Sequence, residues 1–163
     1  MNVSLRSLTI PDHANVQAIP IIGLMNLHAE YYHWDALIHG KASVTIPPFS
    51  VRRAIIDLGD CCRAYAEMVT TGGSGGSVRV SWAESLFNEP EARTEGNRNA
   101  TERKYFVGAG DTLKPDGGRC RKFETLWWEA GRFVEILAQT AGESLTIESF
   151  RVHEARHPLA TDR

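Results

Sequence analysis

Apolar and polar residues alternate in several short runs along this chain, and turn residues separate the runs. In the run 77–85, Val78, Val80 and Trp82 would lie on one face of an extended strand. Arg79 and Ser81 would lie on the other face. Runs at this spacing, with almost no helical periodicity between them, are typical of all-β proteins. The pattern therefore predicts an antiparallel β-sandwich with little helix.

Further strands are predicted where β-branched or alternating residues lie between turn signals, at 51–58, 64–70, 104–108, 119–124, 131–140 and 144–154. We expect Gly59 and Asp60 to end the first of these strands. The glycine-rich turn at 72–76 is expected to form a hairpin. In the strand 131–140, one set of alternate positions combines apolar residues with Glu135, so that face is mixed.

The N-terminal part of the chain is harder to assign. Residues 24–40 include a stretch that fits a short amphipathic helix, but Tyr31, Tyr32 and Trp34 fit a strand equally well. The fold of this stretch stays open. We divide the chain into an N-terminal extension at 1–15, one β-sandwich domain at 16–158 and a C-terminal tail at 159–163.

Composition agrees with one ordinary globular domain. Of the 163 residues, 42% are hydrophobic and 23% are charged, which is far from the composition of disordered chains. A net charge of −2 offers no basic surface for nucleic acid or for a membrane. We see no signal peptide and expect a cytoplasmic protein. Cys61 and Cys62 are adjacent, which disfavours a mutual disulfide, and we expect free, buried or half-buried thiols.

The most specific part of the sequence is the turn-rich stretch 96–133, GNRNATERKYFVGAGDTLKPDGGRCRKFETLWWEAGRF, which ends in an aromatic block. It resembles the concanavalin-like, jelly-roll β-sandwich domain of the bacterial α-L-rhamnosidases of glycoside hydrolase family 78. Four further segments resemble landmarks of that domain in the same order: VTIPPFS at 44–50, IIDLGD at 55–60, VRVSWAESLFNE at 78–89 and LTIESFRVHEARHP at 145–158. The Cys61–Cys62 pair and the histidine-rich stretch 28–39 depart from the family pattern.

The resemblance implies an accessory role without catalysis. In the family, the glutamates that hydrolyse terminal α-L-rhamnosides lie in a separate (α/α) barrel, which we expect to be the partner of this chain. The chain has candidate carboxylates, but none carries a motif that marks a general acid; they are Glu84, Glu89, Asp111, Asp116 and Glu124. The alternative is a carbohydrate-binding module for rhamnose-containing glycans, and an autonomous glycosidase is a third reading. An uncovered docking surface would also favour self-association.

Trp127 and Trp128 are the first candidate site residues. Because neighbours on a strand point to opposite faces, we expect one of the two to enter the core and the other to face outward. An outward indole offers either a platform for a sugar ring or a docking surface for a neighbouring domain. The accompanying candidates for either role lie in two turn-rich loops and are Asn97, Asn99, Asp111 and Asp116.

Asp111 and Asp116 are also the candidates for a metal site. Their carboxylates and the nearby loop carbonyls are the oxygen ligands that Ca²⁺ prefers. Asx turns are the alternative use for both aspartates. No other cofactor is expected. His153 and His157 would pair only on a helix, and we place His153 on a strand.

Overall fold

The secondary structure consists of one helix and eight strands across the residues that the computed structural model describes, which are 3–9, 28–89, 97–101 and 104–156. The elements are β1 (Ser4–Thr9), α1 (His28–Ile38), β2 (Val44–Ile46), β3 (Val51–Gly72), β4 (Ser77–Ala83), β5 (Ala109–Leu113), β6 (Arg121–Glu124), β7 (Glu129–Gln139) and β8 (Leu145–Glu154). Within these ranges, no helix has the length and apolar character needed to cross a membrane. The predicted domain boundaries, at 15/16 and 158/159, lie outside the described residues.

The strands pair antiparallel and form two facing layers. The first layer has the order β1–β3–β7–β4–β5, and the second has the order β2–β8–β3–β6. The predicted antiparallel β-sandwich with little helix is confirmed. β1 pairs with β3 although it lies in the segment set apart as an N-terminal extension.

β3 is common to both layers. Its residues 51–57 pair with β7 and its residues 64–72 pair with β8. A straight strand of its 22 residues would span about 70 Å. Val51 and Ser77 nevertheless both pair with Gln139, and only a short turn separates Ser77 from the end of β3. β3 therefore folds back, so that both of its ends lie at the same end of the sandwich.

The fold-back lies between Asp57 and Cys62, where the pairing of β3 with β7 becomes irregular. Gly59 has a φ of 86° there, which glycine adopts without steric cost. The expectation that Gly59 and Asp60 end a strand is wrong, because β3 continues through them and its pairing resumes at Cys62. We call the end of the sandwich around residues 58–63 the corner end.

The glycine-rich turn at 72–76 also differs from the prediction. The amide of Gly76 donates to the carbonyl of Gly73 over 3.0 Å, so the turn is tight. However, β7 lies between β3 and β4 in the first layer. The predicted hairpin is therefore wrong, since the turn carries the chain from the second layer to the first.

The main core lies between the two layers. Val78, Val80 and Trp82 enter it from β4, as their alternation predicts. Ala54 and Ile56 enter it from the first part of β3. The remaining members come from β1, β2, β7 and β8, from the corner and the second part of β3, and from α1.

Residues 28–38, whose sequence fits either a helix or a strand, form the helix α1, and residues 24–27 lie outside the described residues. Trp34 and Leu37 lie on one face of α1 and are fully buried against the core. On the same helix, the hydroxyl of Tyr31 donates to the carbonyl of Leu5 in β1 over 2.8 Å. The aromatic residues that also suited a strand thus attach a helix to one side of the sandwich.

A smaller apolar cluster covers the outer face of the first layer, and its members are Ile55, Ala83, Leu86, Phe106 and Phe133. Leu86 and Phe106 belong to the chain between β4 and β5. Beside them, Phe87 and Tyr105 form an isolated residue pair, in which the amide of each donates to the carbonyl of the other over 2.8 and 2.7 Å. The strand predicted at 104–108 is therefore wrong. The mixed face predicted for β7 is confirmed, because Phe133 and Glu135 are both buried there.

Asp57 holds the corner of β3 in place. Its buried carboxylate accepts hydrogen bonds from Arg132 of β7 at 2.8 and 3.0 Å and from Arg6 of β1 at 3.0 and 3.1 Å. The amide of Gly59 donates to the same carboxylate over 2.8 Å. Burial raises the pKa of Asp57, but the hydrogen bonds from Arg132, Gly59 and Arg6 outweigh it and hold the pKa below its ordinary value.

We predict that Asp57→Asn lowers the free energy of unfolding by about 3 kcal/mol at neutral pH, because it leaves two arginines without their shared carboxylate. The folded-state pKa of Asp57 lies below the unfolded one, so its contribution is present above the unfolded pKa and is lost as the pH falls through the folded pKa. Urea unfolding of both proteins should therefore show a difference that shrinks at acid pH. Asp116→Asn, at an exposed ion pair, is the matched control and should change stability less. An equally stable Asp57→Asn protein would contradict the prediction.

Candidate functional site

The corner end of the sandwich carries the most exposed apolar side chains of the predicted site. Residues 126–128, here called the tryptophan loop, connect β6 to β7. On one side of the loop, the amide of Thr125 donates to the carbonyl of Ala66, and the amide of Ala66 donates to the hydroxyl of Thr125, both over 3.1 Å. On the other side, Glu129 pairs with Ala64. The loop is therefore short and is anchored on β3 at both ends.

The three side chains of the tryptophan loop extend into solvent. Leu126 is 98% exposed, Trp127 is 68% exposed and Trp128 is 37% exposed. The two indole centroids are 6.1 Å apart and the ring planes are tilted by 30°. Soluble proteins seldom present three consecutive large apolar side chains in this way without a binding role.

The expected division of the two tryptophans between core and surface is wrong. That expectation assumed a strand, in which neighbouring side chains point to opposite faces. Trp127 and Trp128 instead lie in the loop between the anchored positions Thr125 and Glu129, so the strand alternation does not apply to them. Both indoles remain outside the core.

A cationic side chain lies over one of the indoles. The guanidinium carbon of Arg63 is 5.5 Å from the ring centroid of Trp128, which is a cation–π contact. Arg63 is in contact with the loop because its backbone pairs with Ala130 in the continuation of β3 past the corner. The sequence offered no signal for this contact, because Arg63 and Trp128 are far apart in the chain and meet only through the β3–β7 register.

Asn97 and Asn99 form a turn at the same end of the sandwich. The amide of Asn99 donates to Oδ1 of Asn97 over 2.9 Å, and the amide of Ala100 donates to the carbonyl of Asn97 over 3.1 Å. Oδ1 of Asn99 accepts a hydrogen bond from Arg132 over 2.7 Å. Because Arg132 also binds Asp57, this loop is attached to the corner of β3.

Asp111 and Asp116 do not join this site. Asp111 lies on β5 opposite Val80. Asp116 lies in the β5–β6 loop, where its Oδ1 accepts from the amide of Gly118 over 2.8 Å and its Oδ2 pairs with Arg121 at 3.1 Å. The hydrogen bond from Gly118 and then the one from Arg121 lower the pKa of Asp116. The Asx turn is thus observed for Asp116, and across the described residues no group of three or more His, Cys, Asp or Glu side chains is placed to hold a metal ion.

The other candidate carboxylates are spread over separate elements of the chain. Glu84 and Glu89 follow β4, Asp111 lies on β5, and Glu124 lies on β6, where it pairs with Lys122 at 3.2 Å. Glycoside hydrolysis needs two carboxyl groups placed across one bond.

The two adjacent cysteines lie beside the tryptophan loop on the corner of β3. Cys61 is exposed, Cys62 is half-buried, and both are free, as is the exposed Cys120. Free thiols were predicted, but two of the three are more exposed than expected. Burial is the main cause that raises the pKa of both Cys61 and Cys62. Neither thiol is therefore activated as a nucleophile.

Leu126 is the site residue that the sequence-based reasoning missed. It stands directly before the two tryptophans, so the run of three large apolar residues was visible in the sequence. The run was overlooked because Trp127 and Trp128 were assigned to a strand with alternating faces. A loop assignment for this segment would have predicted all three side chains at the surface.

Comparison with known proteins gives likenesses in structure and none in sequence. No protein-family model and no curated protein matches the chain. Among solved structures, it is similar to CpGH89CBM32-6 produced by Clostridium perfringens, with a TM-score of 0.46, 10% identity and coverage of 87% of this chain and 97% of that one. It is also similar to a rhamnosidase from Klebsiella oxytoca with rhamnose bound, with a TM-score of 0.49, 12% identity and coverage of 94% and 29%.

A third similar structure is a fucolectin from the serum of Morone saxatilis (striped bass), with a TM-score of 0.34, 16% identity and coverage of 99% and 49%. The chain thus spans less than a third of the rhamnosidase and about half of the fucolectin. At these identities, none of the three proteins transfers an activity to this chain.

We predict that acrylamide quenches two of the four tryptophans and that Trp127→Ala removes the most accessible part of the emission, because Trp34 and Trp82 are buried. The free energy of unfolding should change by less than about 0.5 kcal/mol, since the side chain is mostly in water. The control Trp82→Phe, in the core, should destabilise the protein and leave the accessible fraction intact. A strongly destabilised Trp127→Ala protein would show that the indole is part of the core.

Proposed function

We propose that this chain is a non-catalytic accessory domain of an α-L-rhamnosidase and that its tryptophan loop docks it onto the (α/α) barrel of that enzyme. The observation that carries the proposal is the exposure of Leu126, Trp127 and Trp128 on a loop that is anchored at both ends. The identity of the partner rests on the resemblance of 16–158 to the sandwich domain of the α-L-rhamnosidases. The docking role rests on the geometry of the loop.

The apolar area of the tryptophan loop favours docking. Together, the three side chains expose roughly 400 Å² of apolar surface, judged from the area that such side chains bury in cores. Burying it would contribute on the order of 10 kcal/mol before the cost of association. That cost is of similar size for free proteins and falls when a linker joins the two domains. A loop of this kind is therefore well suited to an interface within one enzyme.

The restricted backbone of the tryptophan loop also favours docking. A flexible loop would lose conformational entropy on docking, which weakens binding. Here the hydrogen bonds between Thr125 and Ala66 and the pairing of Glu129 with Ala64 already restrict the backbone. Apolar anchors that are held in place before binding are the usual hot spots of protein interfaces.

Carbohydrate binding at the same loop is the second candidate function. It is favoured by Arg63, whose guanidinium lies over Trp128 and places N–H donors beside an exposed indole. Pyranose rings stack on indole faces while neighbouring polar groups hold their hydroxyls. Leu126 argues for the protein partner, because a fully exposed leucine offers nothing to sugar hydroxyls.

The docking proposal predicts that Trp127→Ser weakens binding to an (α/α) barrel encoded in the same or a neighbouring reading frame by about tenfold or more. Calorimetric titration of the separate barrel with this chain measures the dissociation constant. Phe49→Ser is the matched control, because Phe49 is 83% exposed but lies near Ala141, away from the corner end. Equal affinity of wild type and Trp127→Ser, or equal losses in both variants, would refute docking through the tryptophan loop.

The second candidate function predicts a saturable change in tryptophan emission when L-rhamnose is added, and its loss in Trp127→Ala. Stacking of the sugar on the indole would cause the change. A flat titration of the wild-type protein would dismiss sugar binding at the loop and leave docking as its function.

A further inference from the structure

A second site lies on the outer face of the first layer, away from the tryptophan loop. It is a cleft of about 80 Å³ between β4, β7 and the segment that leads into β5, and the side chains that line it include Arg79, Ser81, Phe106, Val107, Glu135 and Leu137. Ser81 and Glu135 are directly paired across β4 and β7, and Arg79 is paired with Leu137. The register of the two strands thus sets the spacing of the polar groups.

The charges in this cleft are unusually well buried for the outer face of a sheet. Glu135 is 5% exposed, and Arg53 beside it is 1% exposed. Nε of Arg53 donates a hydrogen bond to Oε1 of Glu135. Burial raises the pKa of Glu135, and the charge of Arg53 opposes that shift. Removing such a pair from water is costly, so the pair adds little to stability.

The cleft offers hydrogen-bond donors and acceptors side by side. Nε of Arg79 donates to the hydroxyl oxygen of Ser81 over 2.9 Å, which leaves the two Nη groups of Arg79 and the hydroxyl proton of Ser81 for other acceptors. Among the described residues, the hydrogen bond that Glu135 accepts is the one from Arg53 to Oε1, so Oε2 can accept from a ligand. Phe106 and Val107 supply an apolar wall.

The wall of the cleft is fixed by close backbone packing. A Cβ on Gly108 would lie 2.3 Å from the carbonyl oxygen of Trp82, and one on Gly110 would lie 1.9 Å from that of Val80. Glycine alone permits these approaches. Phe106 is held beside them in the smaller apolar cluster. The cleft is therefore formed before any ligand arrives.

We propose that this cleft binds the edge of a neutral saccharide through two neighbouring hydroxyl groups. One hydroxyl donates to Oε2 of Glu135 and the other accepts from Arg79, while the C–H face of the ring lies against Val107. A hydroxyl pair suits a site with an acceptor and a donor side by side. The carboxylate of Glu135 disfavours an anion and the two arginines disfavour a cation. This site goes beyond the docking role proposed above and does not depend on it.

The size of the cleft limits what it can hold. Its volume of about 80 Å³ admits two hydroxyl groups with their carbons and leaves the rest of a pyranose outside. Binding should therefore be weak for a single sugar, with a dissociation constant on the order of 1–10 mM. It should also tolerate substituents on the far side of the ring.

The test is a titration of ¹⁵N-labelled protein with the methyl α-glycosides of L-rhamnose and D-galactose, followed by the amide shifts of Ser81, Gly108 and Leu137. Acetate is the anionic comparison probe. We expect at least one glycoside to give saturable shifts at these amides and acetate to give none. Arg79→Gln should weaken binding by about tenfold, and Val107→Lys, which fills the mouth of the cleft, should abolish it.

Phe49→Ser, at an exposed residue that lies in neither the cleft nor the tryptophan loop, is the matched control, and it should leave the shifts of the cleft amides unchanged. The proposal is overturned if no glycoside shifts the cleft amides, if the shifts are confined to 125–132, or if acetate shifts the cleft amides as the glycosides do. Both cleft substitutions are at partly exposed positions, and a dispersed amide spectrum shows that each variant is folded. Glu135→Gln is avoided, because it would leave Arg53 buried beside a neutral amide.

Discussion

Both layers of the sandwich depend on one strand, β3, and on the way in which it turns between them. Its first part contributes Ala54 and Ile56 to the core from one side, and its second part contributes Ala66 and Met68 from the other. Because these residues belong to one continuous strand, the layers cannot separate without breaking pairing at the corner. Asp57 stabilises that corner, since its carboxylate joins β1, β3 and β7 through two arginines and the amide of Gly59.

The two surfaces proposed for function both follow from the pairing of β3 with β7. Past the corner, this pairing continues to Glu129 and places the tryptophan loop beside Arg63. Before the corner, it places Arg53 against Leu137 in register and brings its side chain to Glu135. The pairing of β3 with β7 thus determines the position of both surfaces. The apolar one lies at the corner end, and the polar cleft lies on the outer face of the first layer. The two surfaces differ in chemistry, as a protein partner and a sugar would require.

The local pattern of the sequence was sufficient for the strands that are buried on alternate positions. Val78, Val80 and Trp82 were placed correctly because a half-buried strand imposes period two on its residues. The corner at Gly59 was not predictable, because the same residues that end a strand also allow it to bend. Which of the two happens depends on whether β7 offers partners beyond the bend, and that is a long-range property. The cleft was missed for the same reason, since Arg53 and Glu135 meet only through the β3–β7 register.

Amide hydrogen exchange along β3 under native conditions tests the account most directly. If one strand unites the layers, the paired amides of 51–57 and those of 64–70 should exchange with the same free energy of opening, and this should equal the free energy of global unfolding. A free energy of opening that is distinctly smaller for the amides of 64–70 than for those of 51–57 would contradict the account, because the two layers would then unfold separately.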